Sequence, residues 1–274
     1  VQIRPIQSID QSYWRHPDFP YVEIRSTFNS TQSFRQHSHP QLSLGAIIGG
    51  TTHIHRAGKE TICEEGDLVL IEPDGVHSCN PVNNQTRSYH MLYLNVDWCL
   101  QRLSALFAQN VEQFTCDNLV IRDPKLFQHY IGLIELSKSN ELTAIGPQLD
   151  SLIINLLSSY CSPIAGHREI DSIPAQIKRE LINSIELPPS LEDLSKRFSL
   201  RPETILRSFK KAYGLTPKRF VLNARIEKAK IFMKNGESIA NIALALGFSD
   251  QAQFHKVFVD YTASTPGQYL KANG

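Results

Sequence analysis

Four side chains in the first hundred residues could act together on a small ligand. His37 and His39 stand at i and i+2 in His37-Ser38-His39-Pro40-Gln41, and His77 follows Asp74-Gly75-Val76. On an extended chain, i and i+2 project to one side, and a third histidine can converge with them. Neutral imidazoles either ligate a transition metal or donate and accept hydrogen bonds to a polar ligand. Gln41 is the nearby polar side chain, and no acid follows until Glu60. A neutral amide is a poor substitute for a charged ligand, so no metal and no cofactor are expected. His37, His39, His77 and Tyr93 are the candidate contacts for a hydrogen-bonding molecule such as a sugar or small acid. The same histidines could instead only bond within their own domain. His53 and His55 share a strand face and read as rim residues.

A second set could meet a polyanion. Residues 176–274 hold sixteen Lys and Arg against nine Asp and Glu, whereas residues 1–175 hold twelve against eighteen. A net charge of only +1 therefore hides a basic half and an acidic half. Phosphate contacts need such charge, although a basic half alone is also what a solvated surface looks like. The placement of that charge decides between them. Glu203, Thr204, Leu206, Arg207, Lys210 and Lys211 stand on one predicted helix, and Gln251, Ala252, His255 and Lys256 on another.

These two helices belong to a repeat. Leu191 and Leu194 match Ile239 and Ile242 at an offset of 48, while Ile205, Phe209, Thr216, Pro217 and Phe220 match Phe254, Phe258, Thr265, Pro266 and Tyr269 at 49. The one-residue change falls inside a turn, so each copy reads as helix, turn, helix. In the second copy Ile239, Ile242, Ala243 and Leu246 make one apolar face. Gly247 ends that helix, Phe248 plugs the corner and Ser249 is the expected cap of the next. Pro202 suits the first turn of the equivalent helix in the first copy. Residues 217–234, with Phe220, Ala224, Ile226, Ala229 and Phe232, should form the helix joining the copies. A lead helix is expected over 174–187, stopped by Pro188-Pro189.

The acidic half has another character. Residues 1–20 read as an irregular lead-in without an apolar signal region. Over 21–95, short segments rich in β-branched and aromatic residues alternate with turns at Gly49-Gly50, Gly58-Lys59, Gly66-Asp67 and Pro73-Asp74-Gly75. This predicts an antiparallel barrel or sandwich. Residues 97–160 turn helical, with Asp123-Pro124 opening the second helix. Leu149, Leu152 and Leu156 stripe the third, which could pack on the barrel or pair two chains. Residues 161–173 carry Pro, Gly and Ser and read as a linker. The five cysteines are odd in number and lack a Cys-x-x-Cys, which suggests reduced thiols in a cytosol. No run reaches membrane-spanning length.

The stretch SIANIALALGFSDQAQFHKVFVDYTASTPGQY, with its upstream copy, resembles the DNA-binding region of AraC-type transcription regulators over roughly residues 180–270. Ser199 stands where that family commonly has a glycine, and Thr262-Ala263 where it has an aromatic and a glycine. The fragments around His37–Gln41 and Gly66–Asn80 look like the two cupin motifs in the form found in AraC-type effector domains. The resemblance implies an α+β chain. Residues 1–160 would form a cupin-like β-barrel with a helical bundle, 161–173 a linker, and 174–274 an all-α domain with two helix-turn-helix motifs. It also implies a non-enzymatic, sequence-specific DNA-binding regulator controlled by a small-molecule effector in the barrel. Double-stranded operator DNA, a second copy of the chain and RNA polymerase are the implied partners, in the bacterial cytoplasm at the nucleoid. The rival readings are a metal-dependent cupin enzyme with a helical appendage and a constitutive DNA-binding protein whose barrel only dimerises.

Overall fold

The computed structural model describes residues 10–139, 141–164 and 171–271. Its N-terminal part strings together β1 (Asp10–Trp14), β2 (Val22–Ser30), β3 (Leu42–Gly49), β4 (Thr52–Arg56), β5 (Lys59–Cys63), β6 (Leu68–Ile71), β7 (His77–Pro81) and β8 (Arg87–Leu94). Helix α1 (Val96–Phe107), short strands β9 (Phe114–Cys116) and β10 (Val120–Ile121), helices α2 (Pro124–Lys138) and α3 (Leu142–Tyr160), and strand β11 (Cys161–Pro163) follow. One sheet has the order β1-β2-β8-β3-β6-β10 and a second β5-β4-β7, with all pairings antiparallel.

Alternation along the strands splits the large sheet into two faces. Val22, Ile24, Leu42, Leu44, Ala46, Leu68, Leu70, Leu92 and Leu94 pack against α1, α2 and α3. Ile47, Val69, Ile71 and Tyr89 point the other way and meet Ile54 and Cys63 of the three-stranded sheet. The two sheets thus pack face to face. Among the described residues no extended ladder closes them edge to edge, but a bridge between His37 and His77 ties the loop after β2 to β7. Strand β1 lies within what composition suggested was an irregular lead-in, because register with β2 satisfies its backbone. The rest of that segment, residues 1–9, lies outside the described residues.

The leucine stripe of α3 is core. Leu149, Leu152 and Leu156 are 1%, 0% and 0% exposed and belong to the cluster under the large sheet. They are therefore unavailable to a second chain. The spacing predicts this apolar face, and the large sheet covers it. The expected linker is also shorter at both ends. Cys161–Pro163 pairs with β9, and Ile173 opens α4 behind a Ser172 cap. Residues 165–170 lie outside the described residues.

The C-terminal part contains α4 (Ile173–Asn183), α5 (Leu191–Phe198), α6 (Pro202–Tyr213), α7 (Pro217–Lys234), α8 (Ile239–Ala245), α9 (Gln251–Thr262) and α10 (Pro266–Leu270). Side-chain caps start most of these helices: Ser190, Thr216, Ser238 and Thr265 each accept a backbone N–H. Such caps typically contribute about 1 kcal/mol each. Asp250, not Ser249, caps α9, and Ser249 N–H is instead bound by the Gln253 side chain. Ser199 and Ala263 take the left-handed conformation at φ 52° and 49°, so both turns form without the usual glycine. The two copies hang on α7. Val221, near its start, joins Ile177, Leu181, Leu194, Ile205 and Phe209. Ile226, Ala229 and Met233 join Ile242, Leu246, Phe248, Phe254 and Phe258.

Arg225 fastens these two cores together. Its guanidinium donates to the carbonyls of Ile185, Glu186 and Gly247 at 2.9, 3.0 and 2.9 Å. Gly247 has φ 70°, and a Cβ there would stand 2.0 Å from the Glu186 oxygen. Glycine is thus required at this turn both by conformation and by close approach.

Candidate functional site

The loop between β2 and β3 presents His37 and His39, and β7 presents His77. Reciprocal backbone hydrogen bonds of 2.9 Å between His37 and His77 fix the pairing. The ring centroids lie 4.5 Å apart for His37–His77, 5.0 Å for His39–His77 and 6.0 Å for His37–His39. Tyr93 of β8 stands edge-on to His39 at 5.5 Å. The structure therefore brings together all four residues singled out from the sequence. Burial lowers the pKa of each histidine, to about 4 for His77 and well below the ordinary value for His37 and His39, where the neighbouring rings add to the effect. All three are neutral at neutral pH. Burial also raises the Tyr93 phenol, which stays protonated.

His37, His39 and Tyr93 line a cavity of about 780 Å³, and His77 backs their wall. The opposite wall comes from the C-terminal part: Glu227, Lys230, Ile231, Met233 and Lys234 of α7, with Tyr261 and Tyr269. Sequence reasoning placed the pocket in the barrel and missed this second wall, because docking between two separately folded parts leaves no periodic trace. It also missed the charged lining. Glu23 of β2 accepts from Arg15 at 2.6 Å and pairs with Lys234 at 2.8 Å. Burial pushes the Glu23 pKa up, but Lys234 and Arg15 outweigh it and hold the group below the ordinary carboxylate value. Lys230 pairs with Glu227 at 2.7 Å. Arg15 gives Nη1 to the Tyr269 carbonyl at 2.9 Å, while its buried Nη2 has no partner among the described residues.

Further bonds tie the two parts together. Buried Arg25 of β2 donates to the carbonyls of Thr262 and Ala263, at the end of α9, at 2.6 and 3.2 Å. A cation there also complements the helix dipole. Tyr13 of β1 enters the core of the second helix-turn-helix and meets Tyr269 edge-on at 5.2 Å. Asn223 of α7 makes two hydrogen bonds to the backbone of Ser38. An asparagine on the apolar side of a predicted helix, three residues from Phe220 and from Ile226, was the one sequence signal that could have exposed this contact.

The basic helices present the other surface. On α6, Glu203, Arg207, Lys210 and Lys211 are exposed, with Thr204 and Leu206 half-buried. On α9, Gln251, Ala252, His255 and Lys256 are exposed. Ile205, Phe209, Phe254 and Phe258 turn inward, 0% exposed. Among the described residues Arg207, Lys210, Lys211 and Lys256 form no ion pair with an acidic side chain. Those cations are free for phosphate or base edges.

A sheet-rich sensor unit joined to paired helix-turn-helix motifs defines a one-component transcription regulator. A family model described as the AraC-like ligand binding domain matches residues 19–157, half of the chain, and one described as a helix-turn-helix domain matches 194–272. The chain belongs to the AraC-type regulators, with an N-terminal ligand-binding domain and a C-terminal DNA-binding domain. It is 26% identical over 234 residues to an uncharacterized HTH-type transcriptional regulator, YbfI, of Bacillus subtilis, covering 81% of each chain. It is 26% identical over 160 residues to the Msm operon regulatory protein of Streptococcus mutans, covering 55% of this chain and 56% of that one. Against a longer Staphylococcus aureus HTH-type regulator it spans 31% of the relative's length. In fold it is similar to ToxT of Vibrio cholerae, at TM-score 0.53 and 14% identity over 97% of this chain and 100% of that one. The likeness extends to the unsaturated fatty acid-bound form, at TM-score 0.52 and 13% identity over 96% and 94%. Among the described residues no helix is long and apolar enough to cross a membrane.

Proposed function

We propose that the cavity between the sheets and α7 is the effector site, and that a small polar molecule held there sets the affinity of the paired helix-turn-helix motifs for an operator. The observation that carries this reading is the shared wall: His37, His39, Tyr93 and Arg15 on one side, Lys230 and Lys234 on the other. A ligand that touches both parts binds one mutual arrangement better than another, which is the condition for shifting a population. The neutral imidazoles and the Tyr93 hydroxyl favour an oxygen-rich ligand. ToxT is a fold neighbour that has been described with an unsaturated fatty acid bound. A carboxylate-bearing effector is consistent with the cationic rim here. The protein does no chemistry on it.

Arg207, Lys210 and Lys211 on α6 and His255 and Lys256 on α9, with Glu203, Thr204, Leu206, Gln251 and Ala252 between them, make the DNA contacts. Two such helices on one rigid α7 would read successive major-groove segments about one turn, ~34 Å, apart. The protein would work in the cytoplasm as a homodimer and contact RNA polymerase when it activates. With the α3 leucines buried, a dimer would use an outer face such as that around Ile154, 46% exposed.

A melting-shift screen of small acids and sugars against the full chain tests the effector site. A true effector raises the melting temperature of the wild type and fails to do so for His39→Ala. Equal shifts in both proteins would place the ligand elsewhere.

A further inference from the structure

Cys116 and Cys161 face each other across the two-stranded sheet of β9 and β11. Their sulfurs lie 3.7 Å apart, and both residues are buried, 7% and 3% exposed. The hydrogen bonds around them fix the kind of pair they form. Asp117 N–H donates to the Tyr160 carbonyl and Ile164 N–H to the Gln113 carbonyl, each at 2.9 Å. Hydrogen-bonded and non-hydrogen-bonded pairs alternate along an antiparallel ladder, so Cys161–Cys116, next to the bonded Tyr160–Asp117, is a non-hydrogen-bonded pair. In such a pair the Cα atoms approach to about 4.5 Å and the side chains come closest. A disulfide accepts Cα separations of ~4.4–6.8 Å, so closing the sulfurs to ~2.0 Å needs side-chain rotation and no change of register.

Both strands are anchored outside their own pairing. Glu72, just after β6, accepts from Cys116 N–H and from the Thr115 hydroxyl, each at 3.4 Å, and pairs with Arg56 of β4. Cys161 N–H donates to the Leu157 carbonyl and so closes α3. Cys63, Cys79 and Cys99 stand outside this ladder, in β5, β7 and α1, and all five cysteines are free thiols. The bond from Cys116 to Cys161, with burial, raises the Cys116 pKa, so thiolate is scarce while the sheet is closed. A two-stranded sheet this short opens locally far more readily than the core, which admits a small oxidant to the sulfurs.

We propose that Cys116 and Cys161 are a redox modification site, a thiol pair that hydrogen peroxide converts to an intramolecular disulfide. One thiol, as thiolate, breaks the peroxide O–O bond and becomes a sulfenic acid, releasing one water. The second thiol attacks that sulfur, forms the S–S bond and releases a second water. The two thiols together lose two electrons and two protons, and one peroxide is reduced to two waters. The new bond closes a ring over residues 116–161 that contains α2 and α3. It staples β11, the last described strand before α4, to the sensor part. The chain then departs for the DNA-binding part from a fixed point.

The test treats the reduced full chain with a small excess of hydrogen peroxide, blocks the remaining thiols and maps the tryptic peptides. One disulfide per chain is expected, joining residues 103–122 to residues 139–168, and dithiothreitol should reverse it. Oxidation should raise the melting temperature by about 5–15 °C, as closure of a long loop does. Cys161→Ala should give neither the linked peptides nor the rise. The peptide map of the wild type decides the matter even where that variant fails to fold. A bond from Cys116 to the Cys99 peptide, a bond between two chains, thiols that react only after unfolding in urea, or an unchanged melting temperature in the linked protein would overturn the site.

Discussion

The side-chain amide of Asn223 closes a pair of hydrogen bonds on the backbone of Ser38, donating to its carbonyl at 2.8 Å and accepting from its N–H at 3.1 Å. Ser38 lies between His37 and His39, and Asn223 lies on the helix that carries both helix-turn-helix motifs. One buried side chain thus connects the loop that lines the cavity to the helix that carries both helix-turn-helix motifs. Arg25 on the Thr262 carbonyl and Lys234 on Glu23 span the same boundary.

Replacing Asn223 with Leu leaves the Ser38 N–H and carbonyl without partners at a buried position. The expected loss of stability is about 1–3 kcal/mol, measured by urea unfolding. Effector binding and operator binding should also become less coupled, each retaining more of its affinity than their linkage does. Unchanged linkage in a folded Asn223→Leu protein would mean that the signal crosses elsewhere.

Arg207 and Lys256 occupy equivalent places in the repeat. If Arg207 reads a guanine edge, Arg207→Ala costs about 1–3 kcal/mol of operator affinity and relaxes one base position. If Lys256 meets only phosphate, Lys256→Ala weakens all sequences alike and lowers the salt slope by about one. Selection on random DNA separates these outcomes. Full affinity in both variants would remove the two residues from the interface.

Glu23 makes the boundary acid-sensitive. Its pKa is lower in the folded protein than the ~4.3 of an unfolded glutamate. The folded state therefore gains stability from it above that value and loses the gain as pH falls from ~4.3 through the folded pKa. Thermal unfolding from pH 6 to 3 should show a shallower acid limb for Glu23→Gln than for wild type. Superimposable limbs would show that the Lys234 and Arg15 contacts contribute nothing to folding.

Leu152 gives a sharp outcome for α3. A carboxylate at a fully buried core position should destabilise by roughly 4 kcal/mol or more and leave little folded protein. A folded monomeric Leu152→Asp, seen by sedimentation and circular dichroism, would contradict the packing described here.

Much of this was legible in the residue order. The repeat announces α5–α6 and α8–α9 because helix packing imposes its own spacing, and Thr216-Pro217 and Thr265-Pro266 mark helix starts by local chemistry alone. The strands from Val22 to Leu94 follow from alternation and turn residues. His37, His39 and His77 converge because of a two-residue spacing, which the sequence shows, and an antiparallel bridge between His37 and His77, which it does not. The remainder depended on tertiary docking. Leu149, Leu152 and Leu156 look the same in sequence whether a sheet or a second chain covers them. Arg15, Glu23, Lys230 and Lys234 look like ordinary surface charges until the sheets and α7 are in place. Strand β1 lacks a strong apolar alternation and exists because β2 offers it an edge.

Coupling of the two halves of the chain through one ligand that touches both is the core of the proposed function. Its most direct test is an operator-binding titration of the full chain, with and without an effector found by melting shift, on wild type, His39→Ala and Lys230→Ala. The effector should shift the operator Kd of the wild type. Loss of either wall should abolish the shift while ligand-free affinity stays within a few-fold. An undiminished response in Lys230→Ala and His39→Ala alike would contradict it.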